Sequence, residues 1–166
     1  MSPYAWSKYL FDKLVMEIPE YMINVQGFRI FNAYGQGEEH KGEQQSVFGK
    51  FDLQAKNLRK IKLFEGSDGI HRDFIWVGDI CQIIEKFIDV DETGIWNLGT
   101  GVAPTFTDIA KGYAEIHGAE IEYIPMPANL IGQYQFYTCA DTTKLINSIG
   151  NYKFKTIQEY INASKT

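Results

Sequence analysis

The fold of this chain is decided by the stretch VQGFRIFNAYG at residues 25–35. Its mostly apolar residues predict a buried β-strand over 25–31, and the next four residues, 32–35, predict a turn. Residues 4–18 precede the strand with apolar side chains at helical spacing, which predicts a helix that Pro19 ends. A strand therefore follows a helix. Polar side chains follow at the carboxyl end of this strand, and open α/β sheets bind ligands at the carboxyl ends of their strands.

Helices and strands alternate through the rest of the chain. Residues 36–45 are polar and contain glycine, and this length is typical of a functional loop. The pattern is α/β, but it has too few strands for a complete doubly wound sheet. Periodicity and turn residues predict strands at 60–64, 72–77, 94–98 and 120–124, and helices at 47–58, 79–90, from Thr105 onward, 142–149 and 156–163.

Composition narrows the class of protein. A chain of 166 residues with 45% hydrophobic residues suits one domain with a sizeable core. Its net charge of −5 argues against nucleic acid or an anionic membrane as the main partner. Cys81 and Cys139 lack metal-ligand spacing, so we expect reduced thiols and no metal site. No apolar run approaches ~18 residues and no signal peptide is recognisable, which favours a cytoplasmic location.

A tyrosine and a lysine stand four residues apart in YAWSK at residues 4–8. At this spacing Tyr4 and Lys8 share one face of the predicted helix. A lysine charge favours the phenolate and lowers the tyrosine pKa from about 10 toward neutrality, which suits acid/base work in nicotinamide-dependent enzymes. A second such pair, Tyr9 and Lys13, lies on an ordinary amphipathic helix and is interpreted as surface or core packing. Local sequence leaves Tyr4 open between a catalytic and a structural role.

A glycine-rich turn for the phosphates of a dinucleotide is not found. The glycine pairs at 35–37 and 99–101 have no third glycine, and neither opens a strand–turn–helix unit. We therefore expect the catalytic half of an oxidoreductase-type protein, without its cofactor half. Such a chain would leave apolar faces of the first helix and of strand 25–31 exposed, and would self-associate. Whether it is a remnant of a longer protein or a truncated reading frame stays open.

Further segments carry a family resemblance. The segments are GFRIFNAYG (27–35), EEHKG (38–42), FEGS (64–67), HRDFIWVGD (71–79) and NLGTG (97–101). In this order, after the Tyr-x-x-Ser-Lys helix, they resemble the extended short-chain dehydrogenase/reductase family, which comprises nucleotide-sugar epimerases and dehydratases. The resemblance runs over residues 2–156.

Four further motifs narrow the resemblance, and they are HKG (40–42), KLFEGS (62–67), GQYQ (132–135) and FKT (154–156). With them the chain is, within that family, most similar to the epimerases that act at C6 of an ADP-linked manno-heptose. This similarity implies NADP, a redox-neutral cycle in lipopolysaccharide precursor synthesis, and a cytoplasmic homo-oligomer acting on a nucleotide-sugar. The alternatives are another nucleotide-sugar 4-epimerase or dehydratase, or an inactive nucleotide-sugar-binding fragment. Glu43 and Lys50 depart from the serine and histidine of relatives.

The resemblance also implies residue roles. Tyr4 and Lys41 would be the two acid/base residues. Lys8, Ala33 and Lys41 would bind the cofactor, with Lys8 on its ribose and Ala33 beside the nicotinamide. The substrate would contact Asn32, His40, Phe64, Glu65, Gly66, Ser67, Arg72 and Tyr134.

Each role has a plainer alternative from the residues themselves. Lys41 in a charged loop is also consistent with a solvated side chain. Arg72 and Asp73 could form an internal ion pair. Asn32 could end its strand by bonding its own backbone. Tyr134 could be a packing aromatic.

The implied fold is the C-terminal part of an extended short-chain dehydrogenase/reductase, with the end of the Rossmann-type domain and the small substrate-binding domain. Residues 1–33 would be the last helix and strand of a truncated dinucleotide-binding domain. Residues 34–166 would be mainly the substrate-binding α/β region, with 94–101 returning to the dinucleotide-binding sheet. Because the phosphate-binding turn is missing, we expect residues 1–166 alone to bind no NADP tightly and to be inactive.

Overall fold

The computed structural model describes residues 3–18, 23–128, 131 and 135–165. Within these ranges the chain forms six α-helices and eight short β-strands. In chain order they are α1 (Pro3–Glu17), β1 (Gln26–Ile30), β2 (Asn32–Tyr34), α2 (Val47–Leu58), β3 (Lys60–Phe64), β4 (His71–Arg72), β5 (Phe74–Trp76), α3 (Val77–Lys86), β6 (Gly94–Leu98), α4 (Phe106–His117), β7 (Glu120–Ile124), β8 (Tyr137–Thr138), α5 (Thr143–Ile149) and α6 (Ile157–Ala163).

All the described strand pairs are parallel. β1 pairs with β6, β2 with β5, β3 with β7 and β4 with β8. Parallel neighbours need a crossover between them, and helices supply it here. Backbone hydrogen bonding continues from the β1–β6 pair to the β2–β5 pair. At this junction Phe31 N donates to the Leu98 carbonyl and Asn32 N donates to the Asp73 carbonyl. The predicted α/β class is confirmed.

Two apolar cores hold these layers together. The larger core lies between α2, α4, α6 and strands β2, β3 and β5, and the smaller between α3, α5 and strands β1 and β6. At the centre of the larger core the Tyr34 ring stacks on Phe48, with 3.8 Å between ring centroids, and Tyr160 meets Tyr34 edge-on. Burying one such side chain stabilises the fold by roughly 1.5–3 kcal/mol.

Helix α1 keeps most of its apolar side chains in solvent. Val15 is its one buried residue, and Leu10, Phe11 and Leu14 are each more than half exposed. An ion pair of 2.6 Å between Asp12 and Arg29 of β1 ties the helix to the sheet. Pro19, the predicted helix stop, lies outside the described residues. No helix in the described ranges combines the length and the apolar character needed to cross a bilayer.

Two sequence-based boundaries were wrong. Residues 32–34 were expected to form a turn, but they form β2 because β5 lies alongside and pairs with them in parallel. The single strand expected at 72–77 divides at Asp73 into β4 and β5, which pair with different strands, and Val77 already begins α3. The loop at 36–45 contains a 3-10 turn at Glu39–Gln44.

The division at Asp73 has a clear physical cause. Asp73 is fully buried, and its carboxylate accepts four hydrogen bonds of 2.8–3.0 Å, from Thr100 N, Thr100 Oγ1, Gly101 N and Ala140 N. A Cβ at Gly99 would lie only 2.8 Å from Asp73 Oδ2. The glycine pair at 99–101 therefore closes around an internal carboxylate. This packing accounts for the two glycines, and no bound phosphate is needed to explain them.

Asp73→Asn is expected to destabilise the fold by roughly 2–3 kcal/mol, because an amide presents a donor to backbone N–H groups that need an acceptor. The free energy of unfolding in urea measures the loss. The matched control is Asp68→Asn at an exposed turn residue, which should change that free energy by no more than about 0.5 kcal/mol. Equal stability of wild type and Asp73→Asn would contradict this account of the buried carboxylate.

Candidate functional site

A cavity of about 450 Å³ opens at the carboxyl end of β1. Polar side chains from several strands and loops meet there, including two guanidinium groups. Of the predicted site residues, Asn32 and Arg72 are both in its lining. The complete lining is Arg29, Ile30, Phe31, Asn32, Arg72, Asn97, Gln135 and Thr138.

Arg72 is held in this cavity by backbone oxygens. One guanidinium nitrogen donates to the His71 carbonyl at 2.8 Å, and another donates to the carbonyl of Gln135. These two hydrogen bonds orient the guanidinium plane. A guanidinium oriented in this way suits a phosphate or pyrophosphate group.

Asn32 is oriented by the strand junction beside it. Its side-chain amide donates to the Asp73 carbonyl at 2.9 Å, and its backbone N–H donates to the same oxygen at 3.2 Å. The hydrogen-bond acceptor of the Asn32 side chain is therefore the neighbouring segment at Asp73, and not the backbone of Asn32 itself. The exposed side chain sits at the start of β2, where it can offer hydrogen bonds to a ligand in the cavity.

The turn at 64–67, whose residues are predicted to contact the substrate, lies at a different cavity. Phe64 and Ser67 line a space of about 360 Å³ between β3, α2 and the start of α4. Glu65 is exposed, and its backbone N–H donates to the Ile124 carbonyl at 2.9 Å. Gly66 has φ +79°, a left-handed conformation that favours glycine. The four residues therefore share one turn, and the structure does not bring them into the cavity of Asn32 and Arg72.

Sequence reasoning missed several lining residues. Lys50, set aside as a departure from the relatives, lines the Phe64 cavity together with Val47 and Gln54. The three lie at i, i+3 and i+7 on one face of α2, a spacing that could have revealed the cluster. Arg29 lines the Asn32 cavity. It could have been identified because it is a cation inside a mostly apolar strand.

The two tyrosine–lysine pairs of α1 have closely similar geometry. Lys8 Nζ lies 5.3 Å from the centroid of the Tyr4 ring, and Lys13 Nζ lies 5.8 Å from that of Tyr9. Both tyrosines are exposed, Tyr4 by 72% and Tyr9 by 42%. The conformation of α1 alone therefore does not separate the two pairs, and the greater exposure of Tyr4 makes its hydroxyl the more accessible.

Lys41 is ion-paired with its own loop. Its Nζ donates to Glu38 Oε1 at 2.9 Å, and Glu38 Oε2 accepts hydrogen bonds from the backbone and the hydroxyl of Ser46. Burial disfavours the charged Glu38, yet the hydrogen bonds from Ser46 and Lys41 hold the pKa of its carboxyl below the ordinary value. His40 is exposed, and neither His40 nor Lys41 is in the lining of the Asn32 cavity.

The residues present fit one end of a nicotinamide cofactor. Tyr4 and Lys8 offer an accessible hydroxyl and ammonium on one helix face, and Ala33 is small and exposed. In the turn at 99–101 the backbone N–H groups of Thr100 and Gly101 already donate to the Asp73 carboxylate, so they do not bind the phosphates of the cofactor. Tyr134 lies outside the described residues. Among those that are described, no three His, Cys, Asp or Glu side chains are placed to hold a metal ion.

Solved structures share this fold. An ADP-L-glycero-D-manno-heptose-6-epimerase from Helicobacter pylori superimposes with a TM-score of 0.84 at 26% identity, covering 97% of this chain and 49% of that one. A UDP-glucose 4-epimerase from Thermotoga maritima, solved with UDP-glucose, gives 0.82 at 23% identity over 99% and 52%. A UDP-glucose 4-epimerase from Thermus thermophilus, solved with NAD, gives 0.75 at 23% identity over 99% and 54%.

The chain thus spans about half the length of these solved structures. Its α/β fold is that of the extended short-chain dehydrogenase/reductases over the shared part. A family model matches residues 1–99, which is more than half of the chain. The chain belongs to the NAD dependent epimerase/dehydratase family.

Proposed function

We propose that this chain carries the acid/base residues of an NADP-dependent nucleotide-sugar epimerase that converts ADP-D-glycero-manno-heptose into ADP-L-glycero-manno-heptose. It would work in the cytoplasm, in a homo-oligomer, together with the remainder of the fold found in the solved structures. The observation that carries the proposal is the cavity in which Arg72 and Asn32 meet, in a chain of this family. The heptose substrate is supported by the 26% identity to the Helicobacter pylori enzyme and by the HKG loop at 40–42.

The chemistry needs two proton-transferring groups. Inverting a secondary carbinol without a carbanion requires oxidation to a ketone and reduction from the other face. A nicotinamide, when bound, supplies the acceptance and return of the hydride. In this proposal Tyr4 takes and returns the proton at the C6 oxygen on one face, with Lys8 favouring its phenolate, and Lys41 does so on the other.

The remaining residues bind and orient. Lys8 would hold the cofactor ribose, Ala33 and Lys41 would lie against the cofactor, and Arg72 would take the pyrophosphate of the substrate. Hydroxyl groups of the sugar would contact Asn32. The other proposed substrate contacts are His40, Phe64, Glu65, Gly66, Ser67 and Tyr134.

The two parts of the chain would divide these tasks. Residues 1–33 and 94–101 would belong to the dinucleotide-binding sheet, and most of 34–166 to the substrate region. The parallel pairing of β1 with β6 supports this division, because it returns the later segment to the strand that follows α1. The cofactor would then lie on the α1 side and the nucleotide-sugar on the side of Arg72.

Arg72→Gln is expected to weaken binding of the nucleotide-sugar by roughly 10–100-fold, since it removes a charge-assisted fork to phosphate. Arg72→Lys keeps the charge without the fork and should recover only part of the loss. Calorimetry on the natural protein that contains this chain measures the dissociation constant. Arg59→Gln, at the C-terminal end of α2, is the control and should leave it unchanged. An unaltered dissociation constant for Arg72→Gln would remove Arg72 from the site.

Substrate choice tests the proposed function. The same natural protein is incubated with ADP-D-glycero-manno-heptose, UDP-galactose and dTDP-glucose, and the products are resolved by chromatography. We expect conversion of the ADP-heptose alone. Conversion of a UDP- or dTDP-hexose without the ADP-heptose would favour a 4-epimerase or dehydratase. Binding without conversion of any of the three would favour an inactive nucleotide-sugar-binding protein.

A further inference from the structure

Glu38 is an acidic residue that is almost fully buried although it belongs to a polar loop. Its residue exposure is 9%, while its neighbours Glu39 and His40 are exposed. One carboxylate oxygen accepts from Lys41 Nζ at 2.9 Å, and the other accepts from Ser46 N at 3.2 Å and from Ser46 Oγ. A single carboxylate therefore joins the middle of the 36–45 loop to the residue that follows it.

Ser46 connects this carboxylate to the rigid core. It is the N-cap of α2, and its hydroxyl also accepts from Gly49 N at 3.4 Å. The first turn of α2 carries Phe48, which is 1% exposed and stacks on Tyr34. Through Glu38, the ammonium of Lys41 is thus anchored to the larger core, although its own side chain is 44% exposed.

The loop backbone gives Lys41 little support of its own. The 3-10 turn that holds it is interrupted at Gly42, with φ +53° and ψ −122°. Within the turn, Lys41 N donates to the Glu38 carbonyl at 2.9 Å. A lysine side chain has several freely rotating bonds, so without an anchor it would sample many positions and lose more entropy on engaging a substrate.

We infer that Glu38 is the positioning residue for Lys41, the second acid/base of the proposed epimerase. Its carboxylate sets where the Lys41 ammonium stands and keeps the 36–45 loop closed on α2, and it does not touch the substrate itself. The inference rests on the proposed function for the role of Lys41, but the coupling between the two side chains can be measured without turnover. Burial and the charges of Glu38, Asp52 and Glu39 raise the pKa of the Tyr160 hydroxyl on α6.

The coupling is tested by an acid titration. Reductive methylation with ¹³C-formaldehyde labels the lysines and keeps their charge, and Lys41→Arg assigns the Lys41 resonance. In the wild-type chain this resonance should shift as Glu38 titrates, with a midpoint below the ordinary carboxyl value of 4.5. Glu38→Gln should abolish the shift, and the matched variant of its exposed neighbour, Glu39→Gln, should retain it. A resonance without the inflection, or one that keeps it in Glu38→Gln, would overturn the inference.

Ser46→Ala separates positioning from simple support of the loop. It removes one hydrogen bond to Glu38 and the cap of α2, but it leaves both charges in place. The Lys41 inflection should persist in Ser46→Ala, although the chain is less stable by about 1 kcal/mol, a roughly fivefold change in the unfolding equilibrium. Loss of the inflection in Ser46→Ala to the same degree as in Glu38→Gln would mean that only loop structure is measured, and would contradict the inference.

Turnover by the natural protein that contains this chain supplies the second readout. Glu38→Gln should lower kcat roughly tenfold with KM within about twofold, and Glu38→Asp should recover part of kcat. An unchanged kcat in Glu38→Gln would overturn the positioning role. Normal turnover by Lys41→Met, together with the inflection in the wild-type chain, would instead overturn the proposed function of Lys41 and leave the measured coupling standing.

Discussion

Tyr4→Phe is expected to lower turnover by about 10²–10⁴-fold while the nucleotide-sugar still binds, because it removes only the hydroxyl that we propose exchanges a proton with the C6 oxygen. The ring remains, and its packing on α1 changes little, since Tyr4 is 72% exposed. Steady-state kinetics on the natural protein that contains this chain measure turnover. Calorimetry with the ADP-sugar measures binding.

Tyr9→Phe is the matched control for this substitution. Tyr9 lies on the same helix and has a lysine at the same spacing, with Lys13 Nζ 5.8 Å from its ring. It should keep turnover close to that of the wild type. If Tyr9→Phe lost turnover and Tyr4→Phe did not, the acid/base pair of α1 would be the second one.

Lys41→Met is expected to lower turnover by a similar factor, about 10²–10⁴-fold, because methionine keeps most of the length of the side chain but cannot transfer a proton. Binding of the nucleotide-sugar should persist, since Arg72 and Asn32 lie in a separate cavity lining. Both quantities are measured as for Tyr4. Lys111→Met, at an exposed position of α4, should be without effect. Near-normal turnover by Lys41→Met would make this lysine a loop charge.

Much of the fold could be predicted because its patterns are local. α2, β3, β6 and β7 begin and end at the predicted residues. Each has a clear apolar period and is bounded by turn or capping residues. The helix predicted from Thr105 begins with reciprocal hydrogen bonds between Thr105 and Asp108. Burial raises the pKa of the Asp108 carboxyl, but these hydrogen bonds hold it below its ordinary value.

The errors concern residues whose structure depends on distant partners. β2 and β8 are only three and two residues long, and each exists because another strand lies beside it. The residues alone favoured no role for Asp73 beyond an internal ion pair with Arg72. The actual partners of Asp73, at positions 100, 101 and 140, are remote in sequence, and nothing local indicated them.

The same distinction applies to the candidate site. Asn32 could be singled out because it follows a strand, and Arg72 because of its motif, and the structure places both in one cavity lining. Arg29 and Asn97 join them only through the parallel pairing of β1 with β6, in which these two residues are register partners. Glu38 was missed, although a carboxylate three residues before a lysine in a helical turn is a recognisable signal.

Isotope retention at C6 tests the central claim most directly. The natural protein that contains this chain is given ADP-D-glycero-manno-heptose deuterated at C6, in ordinary water, and the product is analysed by mass spectrometry and NMR. Oxidation and reduction at one carbon return the same hydrogen, so we predict an inverted C6 that keeps its deuterium. An inverted product that has exchanged its deuterium for solvent hydrogen, or no inversion at C6, would contradict the account.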